Sequence, residues 1–343
     1  MSLKNKISLA IWIILLLFNV KIGGIYSINI VAIFLTIFLI INNKKYVVLN
    51  ILVFFSLLFL ILIGWLNSYF YSEPFKYIFN FFQIFVFYNF FRLNEDKINF
   101  KNSIVITTLF YLALSLYEVK TGSLFWYESR NYDEFLPRVN LGFGDANSLA
   151  GFLIIFSSLI IDSKTFKVLF VFIVGVLTFS RAFLISFIFI FLYKFKNNLV
   201  VLISTLSFGV LIFYSINVVE NYSFAIDRIM DSNFDDSNPR FTEWKFAVDS
   251  IGFLPNWEIF RESLDPHNSF LMALNLFGPI GAIVMFVFLF GYFWKDRFYF
   301  HRDSILLLIV SFGVFCFFNS ELFSVRNTAS LGMILGLLNN KRF

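Results

Sequence analysis

The chain of 343 residues is 59% apolar and only 14% charged, with 53 phenylalanines. A soluble domain is nearer half apolar and a quarter charged, so this composition excludes an ordinary soluble fold. It predicts an all-α polytopic membrane protein, a single transmembrane domain over 1–343. The net charge of +5 is scattered over short loops and makes no nucleic-acid patch, and the single cysteine, Cys316, excludes an internal disulfide and a cysteine metal cluster.

The opening MSLKNK and the apolar run after it imitate a signal peptide. No small-residue cleavage site follows, so the run is expected to stay as an uncleaved first span. Apolar runs then predict helices at about 7–20, 25–41, 46–66, 75–91, 103–117, 147–161, 168–179, 182–193, 199–216, 269–293, 304–318 and 328–338. That makes about twelve transmembrane helices. Several are shorter than the roughly 20 residues a perpendicular span needs.

Charge sets the expected topology, because Lys and Arg in short loops mark the cytoplasmic side. With both termini cytoplasmic, the inner segments hold 16 of the 27 basic residues and five acids, Glu95, Asp96, Asp162, Asp296 and Asp303. The outer side keeps 17 acids, mostly in two long loops, 118–146 and 217–268.

Between Val168 and Tyr193 the only charge is Arg181, and lysines flank both ends: Lys164 and Lys167 before, Lys194 and Lys196 after. One continuous span would send the ten-acid loop 217–268 inside, against the charge rule. A hairpin turning at Ser180-Arg181 keeps it outside. Arms of 12 residues reach only ~18 Å against a hydrocarbon core of ~30 Å, which predicts Arg181 at the floor of an outward-facing, water-filled pit. A guanidinium there suits a phosphate or diphosphate; the plainer alternative is a turn arginine snorkelling to headgroups.

The outer loops interleave aromatic and charged residues, as in LFWYESRNYDEF, RFTEWKF and FLPNWEIF. Such stretches suit an interfacial aromatic belt or stacking on sugars. In NPRFTEWKFAVDS, Phe241, Trp244, Ala247, Val248 and Ile251 recur at helical spacing. The pattern predicts an amphipathic helix in the outer interface, with Arg240 near its start. An arginine there opposes the helix dipole and calls for an anion or an acid; Asp235, Asp236 and Glu243 are close in sequence.

His267 and His301 are the two histidines. His301 falls in a basic cytoplasmic loop. His267 stands at the outer mouth of the 269–293 run, where Asn268 or Ser269 can cap the helix. An imidazole placed there can take a proton from a hydroxyl; a capping or interfacial histidine is the simpler reading. The sequence holds no P-loop, no GxSxG and no metal-ligand spacing, so no cofactor and no metal is expected. Glu321 and Arg326 are candidates for a structural pair.

These elements, in this order, resemble the superfamily of O-antigen ligases and Wzy-type O-antigen polymerases. The resemblance rests on the Ser-Arg turn in TFSRAFLISF, the Arg-x-x-x-Trp of RFTEW, the His-Asn of HNSFLMALNLFGPIGAIV and the earlier GDANSLAGFL. It covers about residues 140–290. The chain departs from the family pattern at Ala182, where a glycine is common, and before His267, where only Gly252 stands for a Gly-rich stretch. Arg228 and Arg261 therefore compete with Arg240 for the loop-arginine role.

The resemblance implies a metal-independent glycosyltransferase in the bacterial inner (cytoplasmic) membrane, its site facing the periplasm. The donor would be an undecaprenyl-diphosphate-linked oligosaccharide. Arg181 and Arg240 would bind and neutralise the diphosphate, His267 would act as base, and Trp244 and Asn268 would line the substrate site. A polymerase passing the glycan to another undecaprenyl-linked repeat unit is the favoured reading, with a chain-length regulator protein as an optional partner. An O-antigen ligase, acting on lipid A-core, is the alternative. A secondary transporter is the second alternative; it often carries helices interrupted by Gly or Pro, and no such interruption is read in the sequence.

Overall fold

The computed structural model describes residues 21–22, 25–42, 58–59, 61–68, 71–93, 100–121, 123–124, 127–128, 139–141, 143, 145–160, 165–178, 180–195, 203, 207, 239–262, 266–294 and 302–339. The expected span 7–20, most of 46–66 and of 199–216, and Arg228, Asp235, Asp236 and His301 lie outside them.

The described chain is nearly all helical. The helices are α1 (Ser27–Asn42), α2 (Pro74–Arg92), α3 (Phe100–Thr121), α4 (Ala146–Ile160), α5 (Thr165–Val176), α6 (Arg181–Phe195), α7 (Pro239–Asp249), α8 (Glu258–Arg261), α9 (Ser269–Trp294), α10 (Arg302–Phe317) and α11 (Val325–Leu338). A 3-10 turn covers Glu321–Phe323, and two isolated hairpins pair two residues a side. Among the described residues one helix, Ser269–Val287, is long and apolar enough to cross a membrane by length and composition.

Contacts divide the chain into two compact units. The first is Met1–Ile98, Asp235–Ile305 and Cys316–Phe343; the second is Asn99–Phe234 and Leu306–Phe315.

The first unit is built on α2 against α11. Every residue of α11 from Arg326 to Leu338 is buried, as expected of a helix enclosed on all sides. Its Gly332 and Gly336, four apart, let the backbones meet: a Cβ on either would collide with the carbonyl oxygen of Ile84 or Tyr88 on α2. Such small-xxx-small spacing is how helices approach closely without large side chains between them. Asn80 of α2 donates to the Phe323 carbonyl at 2.9 Å, tying the 3-10 turn to the same core.

In the second unit the 168–193 run is two helices, α5 and α6, with a turn at Leu177 and Thr178 after the first. They are antiparallel. Phe172 of α5 meets Phe187 and Phe191 of α6, and the Phe183 ring occupies the space a Cβ on Gly175 would need. Phe183, Phe187, Phe191 and Phe195 follow the four-residue spacing that stacks side chains along one helix face, with centroids 5.0, 5.0 and 5.7 Å apart.

Candidate functional site

Arg181 lies in the second unit; Arg240, Trp244, His267 and Asn268 lie in the first. Arg181 is exposed, as the first residue of α6. Ser180 precedes it as cap, its hydroxyl accepting the Phe183 N–H at 3.4 Å. Thr178 secures the turn: its hydroxyl donates to the Gly175 carbonyl at 2.6 Å and accepts the Ser180 N–H at 3.4 Å.

The turn is braced from outside the hairpin. The Val139 N–H donates to the Leu177 carbonyl at 3.2 Å. Its neighbours Asn140 and Leu141 donate their N–H groups to the two carboxylate oxygens of Glu118, at 3.2 and 3.0 Å. Glu118 is fully buried. It stands one residue beyond the 103–117 apolar run. Burial pushes its carboxyl above the ordinary range, opposed by the bonds from Leu141 and Asn140. Asp145 caps α4 by accepting the Asn147 N–H at 3.1 Å. The GDANS sequence is thus a helix start.

In the first unit α7 presents Arg240, exposed, in its first turn. Trp244 is half-buried, its ring edge-on to Phe317 with centroids 5.7 Å apart. Phe317 also contacts Phe270 at 6.4 Å. Phe270 is the second residue of α9, three beyond His267. The Trp244 indole N–H is buried with no hydrogen-bond partner among the described residues, an exception to the usual pairing of buried donors.

His267 is half-buried with φ 44°, in the left-handed region where histidine is more tolerated than most residues. That reversal carries the chain from buried Pro266 into Asn268. Asn268 is the N-cap: its side-chain oxygen accepts the Phe270 and Leu271 N–H groups at 2.9 and 3.0 Å. Ser269 does something else. Its hydroxyl donates to the Asn319 carbonyl at 2.7 Å and accepts the Leu322 N–H at 3.2 Å, fixing the start of α9 to the 318–323 segment.

A clamp holds α7 to α9. Helix α9 breaks at Gly278 (φ 70°), followed by Pro279. Proline has no N–H, so the carbonyl four residues back, Asn275, loses its helical donor. The Asn256 N–H takes that acceptor at 3.1 Å, and the Trp257 indole N–H takes the Leu276 carbonyl at 3.1 Å. The Asn275 side chain in turn donates to the Ala247 carbonyl at 3.1 Å, and the Asn256 side chain to the Ser250 carbonyl at 2.8 Å. These are carbonyls at the end of α7, where helices leave acceptors unfilled.

Sequence reasoning missed Asn256, Trp257 and Asn275. Trp257 is neither a belt residue nor a sugar platform. It is fully buried, edge-on to Phe75 at 5.5 Å, and a Cβ on Gly64 would lie 2.7 Å from its indole nitrogen. The interruption of α9 was also missed, although Pro279 is visible in the sequence. Arg261, the described rival to Arg240, is exposed in α8. No group of three or more His, Cys, Asp or Glu among the described residues is arranged to hold a metal ion.

Comparison with protein-family models, with curated proteins and with solved structures gives no match for this chain.

Proposed function

We propose that this chain is a membrane glycosyltransferase of the O-antigen polymerase and ligase kind, polymerising undecaprenyl-diphosphate-linked glycans at the outer face of the membrane. One observation carries the reading. Trp244 of α7 packs on Phe317, which also meets Phe270 three residues beyond His267, while the clamp ties Ala247 of the same helix to Asn275 of α9. The buried indole donor of Trp244 is thus linked through Phe317 to the start of the helix that follows His267, and Arg240 stands one turn before Trp244 on α7. A diphosphate already leaves readily, so charge neutralisation plus one proton acceptor is sufficient chemistry.

In this reading Arg240 and Trp244 engage the diphosphate and the first sugar, and His267 takes the proton of the acceptor hydroxyl. That oxygen attacks the anomeric carbon, and the undecaprenyl diphosphate departs with the bonding pair. For Arg181 the role of neutralising a diphosphate rests on the resemblance of its Ser-Arg turn alone. The membrane setting is supported by apolar side chains on outward faces: Ile33, Phe34, Ile37 and Ile41 of α1, and Ile185, Ile188 and Leu192 of α6. Soluble surfaces rarely gather such stripes.

A secondary transporter is favoured by the broken helix α9, since transporters use unwound carbonyls to bind ions. Here the two carbonyls released at the break already accept from Asn256 and Trp257, so the enzyme reading is preferred. The test is purified chain in lipid vesicles with an undecaprenyl-diphosphate repeat unit. Elongated lipid-linked glycan supports the proposal; a donor that stays intact with every acceptor supplied refutes it.

A further inference from the structure

Helix α9 changes character at its break. From Ser269 to Pro279 no residue is exposed. From Ile280 onward one face is apolar and open, with Ile283 at 63% and Val287 at 66% exposure. The segment 253–255 is seated against the dividing point: a Cβ on Gly278 would lie 3.1–3.2 Å from Pro255 N, Leu254 C and Phe253 O. Phe253 and Leu254 then project outward, 76% and 44% exposed. Phe253 is the most exposed large apolar residue described, yet its backbone is fixed by the clamp through Asn256 and Trp257.

We propose that Phe253 and Leu254 form a finger that inserts into the acyl chains of the membrane, marking at Gly278 the level where hydrocarbon begins along α9. The inference rests on the membrane reading above. Two observations select lipid as the occupant. The finger is continuous with the open stripe Ile280, Ile283, Val284 and Val287. Earlier in the chain, Lys245 and Asp249 of α7 are charged and exposed, as expected on the water side. The finger backbone need not enter the hydrocarbon, where open carbonyls are not tolerated. Its side chains reach in from the interface, as aromatic residues do at membrane boundaries.

Cys316 is the single cysteine, so Cys316→Ser gives a background for one nitroxide label at a time. The labels go on Phe253→Cys, Leu254→Cys, Ile283→Cys and Asp249→Cys, with the full chain in phosphatidylethanolamine–phosphatidylglycerol vesicles. Collisions with oxygen, which partitions into lipid, are compared with those of a water-soluble nickel chelate. The finger positions are expected to favour oxygen several-fold, at a shallower depth than position 283, with 249 favouring nickel. A finger favouring nickel like 249 overturns the proposal. So does a finger reached by neither reagent, which would mean a second copy or another protein covers it. If position 283 also favours nickel, the membrane reading itself fails, and the finger with it.

Discussion

The backbone N–H of Asn256 donates to the Asn275 carbonyl at 3.1 Å, filling the acceptor that Pro279 strips of its helical donor. One missing proton in α9 is thereby converted into a binding place for the loop that follows α7. The two asparagine side chains complete the exchange by satisfying the end of α7.

Asn275→Leu is expected to free α7 from α9 by leaving the Ala247 carbonyl buried without this donor. An unsatisfied buried group costs about 1–3 kcal/mol. Trp257→Phe should cost a similar amount by removing the donor to Leu276 while keeping most of the ring. Thermal unfolding in detergent reads both. Midpoints equal to wild type would mean the clamp does not hold these helices.

Gly278→Ala is expected to destabilise by more than either. The φ of 70° disfavours any residue with a Cβ by about 1–2 kcal/mol, and the new atom would press on the 253–255 backbone. Gly332→Leu is expected to be worse still, because nothing at the α2 crossing can yield except backbone. Loss of the monodisperse peak in size-exclusion chromatography is the expected readout; wild-type behaviour of Gly332→Leu would contradict the close crossing.

Arg181→Ala and Arg240→Ala change exposed residues and should leave the unfolding midpoint close to wild type. Each is expected to reduce polymer formation on the order of a hundredfold, as loss of a charge-stabilising group does. Arg261→Ala is the control, with activity retained. Unaltered glycan length in Arg181→Ala would remove that residue from the mechanism, and a silent Arg240→Ala beside an inactive Arg261→Ala would reassign the loop role.

His267→Asn tests the base while respecting the backbone, since asparagine also tolerates positive φ. The variant should fold normally and lose turnover, most completely at neutral pH. Activity recovering as pH rises would show that hydroxide replaces the imidazole only if wild type lacks the same rise; full activity at neutral pH would exclude a proton-accepting role.

Glu118 couples the brace behind the Arg181 turn to pH. Its folded carboxyl is held above the usual range, chiefly by burial, so the folded state binds the proton more tightly than the unfolded chain. The stabilising contribution is therefore complete below the unfolded pKa and is lost as pH rises through the raised folded value. Glu118→Gln should flatten this dependence in melts taken between about pH 4 and 8. An unchanged pH profile in the variant would assign the dependence elsewhere.

Much of the local structure was legible in the sequence, because it is written locally. The described helices follow their apolar runs, Asn268, one of the two expected caps, caps α9 where Ser269 does not, and the 168–193 run breaks just before Arg181. The clamp was not legible. Asn256 and Asn275 are far apart in sequence, and neither carries a motif. The available signal was Pro279, whose position fixes Asn275 as the carbonyl in need of a donor, but nothing local says which segment supplies it. Trp257 was misread for the same reason: its burial depends on Gly64 and Phe75, residues of distant elements. On α7, expected as an amphipathic interfacial helix, Phe241 and Val248 are exposed, while Ala247 is buried where Asn275 meets its carbonyl.

The central claim, that the chain polymerises lipid-diphosphate-linked glycans, is tested most directly by mass spectrometry of undecaprenyl-linked glycans in cells lacking it. The account predicts that single repeat units accumulate and that long chains disappear. Full-length chains left unattached would indicate a ligase instead, and an unchanged glycan profile would contradict the enzymatic account.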